Sequence, residues 1–174
     1  HEAGHAVMAY DLFGSGVSAE LTTQPDEDYL GAHSNSPEFK ARIHKLMIFV
    51  ERGIVGLIEE YDEREEIRLN HQCDQMIALF IAGHAAEEVF CDIPNDPTSD
   101  DWKAARDIAT RLDRGTDIAG EYDLTSYFTN QRRVVKGLLD GKYRHAVEAL
   151  VAQLLEKKTL TGDDVTKTIE ANLS

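Results

Sequence analysis

A chain of 174 residues can bury a real hydrophobic core, and one compact domain over residues 1–174 is expected, with 1–115 and 116–174 as helical subregions. Lys and Arg number 18 against 32 Asp and Glu, a formal charge of −14, which argues against phosphate-backbone and anionic-membrane binding, so nucleic acid is not an expected partner. The two cysteines, Cys73 and Cys91, make neither a CxxC pair nor a disulfide framework, and no 18-residue apolar run or signal-peptide pattern occurs; a cytoplasmic address is expected, membrane-associated if an anchor lies upstream.

The first five residues, His1-Glu2-Ala3-Gly4-His5, read HExxH. On a helix this spacing sets two imidazoles one turn apart on one face with a carboxylate beside them. About 0.03 such matches are expected by chance in a chain of this composition. Ala6, Val7, Met8, Ala9, Tyr10, Leu12 and Phe13 continue the stretch as a buried helix. A helix needs residues ahead of it for capping, so natural sequence upstream of His1 is expected.

Gly14-Ser15-Gly16 breaks the helix, and residues 17–23 alternate as a strand with Val17, Ala19 and Leu21 on one face. Residues 25–28 form a turn, and 29–33 return as the second strand of a small β-hairpin beside the HExxH helix. Ser36-Pro37 is a good cap and first-turn pair for a helix carrying Phe39, Ile43, Leu46, Met47, Val50, Ile54 and Leu57 to about residue 59. Residues 61–66 make a charged connector. A central helix follows over 65–90, with Met76, Ile77, Phe80, Ile81, Ala85 and Val89 at helical spacing.

A polar turn over 94–97 precedes a helix to about residue 112, opened by a capping box from Thr98 to Asp101. Residues 115–120 read as loop, and 122–128 as either a short helix or an irregular segment. Leu138, Leu139, Val147, Leu150, Val151, Leu154 and Leu155 give a long amphipathic helix over 132–158 with a break at Gly141. Thr161 to Asp164 then caps a last helix ending near residue 173. The fold class is mostly α, a helical domain with one small hairpin.

Two histidines leave a catalytic metal short of a ligand, which must come from a segment folded back on the first helix. Glu87, Glu88, Asp100, Asp101, His71 and His84 are the candidates, and spacing does not choose among them. His33, His44, His71 and His145 are isolated in sequence and read as ordinary histidines.

Three segments in order, His1-Glu2-Ala3-Gly4-His5-Ala6, Gly83-His84-Ala85-Ala86-Glu87-Glu88 and Ser99-Asp100-Asp101 at a helix start, resemble the peptidase domain of FtsH-type ATP-dependent zinc metalloproteases. That family shows HEAGHA, a segment close to GGRAAEE, and an aspartate opening a helix after a Ser-Asn pair. The resemblance extends to the C-terminal helices and implies zinc held by His1, His5 and Asp101, with Glu2 as general base; Asp100, next to Asp101, is expected to support the ligands. The sequence departs from the pattern at Gly83-His84, at Ser99-Asp100 and in the extra helix over 39–59. FtsH-type proteases are membrane-anchored hexamers whose AAA ATPase module feeds the zinc site, yet no GxxxxGK(S/T) phosphate loop occurs here.

The reading is a zinc endopeptidase acting on unfolded polypeptide, with an AAA ATPase module in cis or in trans and homo-oligomerisation as the partners the resemblance implies. The alternative is a non-catalytic adaptor or assembly module that keeps the fold.

Overall fold

The computed structural model describes residues 1–24, 32–52, 63–94, 96–115 and 123–173. The described residues form a mostly helical fold with a three-stranded antiparallel sheet.

The HExxH segment forms α1 (Glu2–Phe13), buried nearly all round from Ala3 to Ala9. Helix α3 (Glu63–Cys91) runs alongside it, and small residues set the spacing between the two. A Cβ added at Gly4 would lie 2.6 Å from Ala86 Cβ and 2.7 Å from the Ala82 carbonyl oxygen. Glycine therefore lets the two backbones meet at that point. At the far end of α1, Gly14 takes φ 88° and its N–H caps the Tyr10 carbonyl, a conformation that glycine adopts without strain.

Strand β1 (Ser18–Thr22) lies between β2 (Ala32–Asn35) and β3 (Thr159–Thr161). Leu21 faces His33 on one side and Leu160 on the other, and a bulge interrupts the register between Ser18 and Glu20. The expected hairpin is thus two strands of a three-stranded sheet. Its second strand is described over Ala32–Asn35, and residues 29–31 of the expected strand lie outside the described residues. Sheet and helices meet at Gly162, where any Cβ would run into the Ser18 carbonyl oxygen.

Ser36 caps α2 (Pro37–Arg52) as expected, accepting a hydrogen bond from Phe39 N at 3.3 Å; residues 53–59 of the expected helix lie outside the described residues. The expected connector over 61–66 is helical from Glu63 onward, so α3 opens earlier than its apolar stripe suggests. Helix α4 (Asp100–Arg111) is capped by Ser99, whose Oγ accepts from Trp102 N at 3.3 Å. Thr98 does not cap it, because its hydroxyl donates to Asp96 Oδ1 at 2.7 Å instead.

The long helix expected over 132–158 is two helices, α5 (Leu124–Asp140) and α6 (Arg144–Lys157), divided at residues 141–143. Tyr143 anchors the break: its ring is buried and its hydroxyl donates to Asp11 on α1, beside Lys142 Nζ at 2.8 Å from the same oxygen. The start of α5 also resolves the segment 122–128, helical from Leu124 and capped by Asp123, which accepts from Ser126 N at 3.0 Å. Thr161 and Asp164 form the expected capping box of α7 (Gly162–Ala171).

The buried apolar residues form one cluster that runs from α1 through α3 to α5, α6 and α7. Asp74 on α3 strengthens one end of it, accepting from Arg114 Nε at 2.7 Å and from the Tyr127 hydroxyl at 3.0 Å. Among the described residues no helix is long and apolar enough to cross a membrane. Cys73 and Cys91 are free thiols, and burial pushes Cys73 up to about 12, leaving it unreactive near neutrality.

Candidate metal centre

The first turn of α1 delivers His1 and His5, and the first turn of α4 delivers Asp101, to one point. His1 Nε2 and His5 Nε2 are 3.1 Å apart, and each lies 3.2 Å from Asp101 Oδ2. The other ring nitrogen of His5 donates to the Leu79 carbonyl oxygen at 2.9 Å, which fixes the tautomer and turns the Nε2 lone pair toward the cluster. His1 Nδ1 lies 3.2 Å from Glu87 Oε1, an arrangement that leaves its Nε2 facing the same point.

Three atoms with lone pairs converging in this way repel one another unless a cation or proton stands between them. The titration of the site reflects this. Burial opposes charging His1, yet the Asp101 and Glu87 carboxylates outweigh it and raise the imidazole to about 9. Burial likewise opposes the charge on Asp101, and the His1 and His5 rings beside it nonetheless hold it well below the usual carboxylate range. Tetrahedral nitrogen and oxygen ligands about 2.0–2.2 Å from zinc stand about 3.3–3.5 Å from each other, so the observed separations fit one zinc ion with little adjustment. Two imidazoles and one carboxylate match in type the three protein ligands of catalytic zinc sites, which leave one coordination position open.

The backbone is shaped around these atoms. A Cβ at Gly83 would lie 2.5 Å from His1 Nε2 and 2.5 Å from His5 Nε2. Only glycine lets α3 pass this close to the two imidazole nitrogens.

An open cleft of about 590 Å³ lies over the cluster, lined by His1, Glu2, His5, His33, Phe80 and Asp101 among others. Glu2 shares it, and also borders a smaller apolar hollow with Val151, Leu154 and Leu155. The edge strand β2 contributes Ala32, His33 and Asn35 to the cleft wall.

Of the six candidates for a third ligand, the structure brings Asp101 to both histidines. Glu88 Oε2 accepts from Arg132 Nη2 at 2.7 Å and from Lys136 Nζ at 2.8 Å, tying α3 to α5. Asp100 is almost fully exposed and pairs with Lys103, so it does not stand behind the ligands. His71 is exposed on α3. Glu87 and His84 do reach the cluster, one step behind His1: Glu87 Oε2 is 3.0 Å from His84 Nδ1.

His33 is the residue that spacing did not find. It reads as isolated in sequence, but the β1–β2 register puts it in the cleft wall with Nε2 2.8 Å from Ser18 Oγ. Burial, with His5 nearby, pushes it down to about 4. Only the cross-strand register carries that signal.

No family model matches the chain. Among curated proteins it is similar to the ATP-dependent zinc metalloprotease FtsH of two strains of Helicobacter pylori and of Helicobacter felis, 23% identical in each case. The alignments cover 97% of this chain and 28% of each relative, so the chain spans less than a third of their length. The relationship is a distant FtsH-like one.

Proposed function

We propose that this chain is a zinc-dependent peptidase that cleaves unfolded polypeptide. The observation that supports it most is the convergence of His1 Nε2, His5 Nε2 and Asp101 Oδ2 within 3.2 Å, at the floor of a cleft that Glu2 also lines. His1, His5 and Asp101 would hold the metal. Zinc, when bound, acidifies a water and polarises the scissile carbonyl.

The rest of the chemistry falls to side chains of this chain. Glu2, adjacent to His1 on the same helical turn, accepts the proton the attacking water loses and returns it to the leaving amine. The Leu79 carbonyl and Glu87 carboxylate keep the ring protons of His5 and His1 on the far side of each ring, so both Nε2 atoms stay available. Along the cleft wall, β2 is the outer strand of the sheet order β2-β1-β3. An extended substrate can add to that edge by main-chain hydrogen bonds, which selects unfolded chains over folded ones. An ATPase module, in cis or in trans, would supply such chains from folded substrates.

Glu2→Gln tests the reading. The amide keeps the shape of the carboxylate but cannot take the proton, so zinc content and fold should match the wild type while casein cleavage falls at least about 1000-fold. Equal cleavage by both proteins would refute the role of Glu2. A wild type that holds zinc, cleaves nothing and gains nothing from an added ATPase module would favour the adaptor alternative.

A further inference from the structure

Behind the three converging donors lies a group of side chains that the proposed chemistry does not use. His84, on α3, is 8% exposed and stands between the two segments that deliver the donors. One ring nitrogen, Nε2, is 2.8 Å from Ser99 Oγ, and Ser99 is the N-cap of α4, two residues before Asp101. The other, Nδ1, is 3.0 Å from Glu87 Oε2 as an electrostatic contact rather than an in-line hydrogen bond. The second oxygen of that carboxylate is 3.2 Å from His1 Nδ1. His84 also packs directly on His1, with ring centroids 4.8 Å apart and planes at 86°.

From this juxtaposition we infer that His84 is a positioning residue of the metal centre, holding His1 through Glu87 and the Asp101-bearing helix start through Ser99. The inference rests on the metal-centre reading above. Ser99 Oγ accepts from Trp102 N, so its own proton is free to go to His84 Nε2. The remaining ring proton of His84 then sits on Nδ1, 3.0 Å from Glu87 Oε2, where its partial positive charge attracts that carboxylate and keeps it beside His1. A metal ligand whose supporting group is removed loses its fixed orientation, and affinity falls about 10–100-fold. The rival role is that His1, His84 and Glu87 themselves surround a cation, since their donor atoms are close enough to do so. That would require His1 to offer both ring nitrogens to metals at once.

The test compares His84→Ala and His84→Asn for zinc affinity by chelator competition, for the visible spectrum of the cobalt(II) form, and for melting of the metal-free protein. Asparagine keeps an N–H donor near the place of Nδ1 but leaves much of the ring volume empty. Positioning predicts a zinc dissociation constant raised 10–100-fold in His84→Ala with an altered cobalt spectrum, and recovery of most of that loss in His84→Asn. A packing role alone predicts two variants equal to each other in zinc affinity, and that result overturns the inference. So does a His84→Ala variant within twofold of wild type, or two zinc ions per wild-type chain of which one is lost in His84→Ala. Should His84→Ala fail to fold, Glu87→Gln decides: a loss of tenfold or more supports the inference, and unchanged affinity overturns it. Wild-type protein that binds no zinc would remove the metal-centre reading itself, and the inference with it.

Discussion

Gly83→Ala puts one methyl carbon 2.5 Å from both His1 Nε2 and His5 Nε2. Carbon and nitrogen atoms in ordinary contact stand about 3.5 Å apart, so each ring must retreat by about 1 Å. Zinc–nitrogen distances hold to within about 0.2 Å, and a retreat of that size takes both nitrogens out of bonding range together. Zinc affinity should fall at least about 100-fold, equivalent to about 2.7 kcal/mol. The fold should survive, because the overpacking, about 1–3 kcal/mol, is partly offset by about 1 kcal/mol of helix propensity gained in the middle of α3. Gly137→Ala is the control: it lies inside α5, and a Cβ there meets nothing within 4 Å. It should leave zinc affinity unchanged and raise stability by about 0.5–1 kcal/mol. Titration calorimetry with zinc, paired with far-ultraviolet circular dichroism of the metal-free proteins, measures both effects. Gly83→Ala protein that is folded and binds zinc within threefold of wild type would refute the reasoning, since the ligand nitrogens would then have room that the structure does not give them.

Asp101→Ala should remove most of the zinc affinity, whereas Glu88→Ala should keep zinc and lower stability by about 1–3 kcal/mol, because Glu88 binds Arg132 and Lys136 rather than the cluster. Metal content and urea unfolding of the two variants separate these outcomes. Metal-free protein should lose stability in acid through His33. The fold depresses this histidine from about 6.5 to about 4 by burial, so between those values the unfolded chain binds the extra proton. The contribution is complete above pH 6.5 and lost as pH falls toward 4, about 2–3 kcal/mol by pH 4.5. Urea unfolding at pH 7 and pH 4.5 should show that loss in wild type and a smaller one in His33→Gln; equal losses would mean that other groups carry it.

What the sequence makes legible here is what local spacing encodes. The i, i+4 histidines, the apolar run of α1, the helical apolar spacing of α3 and the Thr161–Asp164 capping box are all patterns within a few residues, and the structure contains each of them. Strand β3 is three residues long and pairs with a strand more than 130 residues earlier, so no window of sequence reveals it. The break between α5 and α6 hides for a related reason: the apolar spacing runs straight through it, and the residue that fixes it, Tyr143, does so by reaching Asp11 on α1. Thr98 and Ser99 are chemically equivalent caps in sequence, and Asp96, by taking the Thr98 hydroxyl, leaves the role to Ser99. At the candidate site the pattern separated His1 and His5 from the background but left six groups for the third position. The resemblance points to Asp101, and the packing of α4 against α3 brings Asp101 to both histidines while Glu87 contacts only the far nitrogen of His1.

The most direct measurement is anomalous scattering at the zinc edge from crystals of the wild-type protein grown with zinc. The account predicts one strong peak per chain, within bonding distance of His1 Nε2, His5 Nε2 and Asp101 Oδ2, with Glu2 beside it in the open cleft. A peak between His84 and Glu87, or zinc-replete crystals with no peak at the three donors, would contradict it.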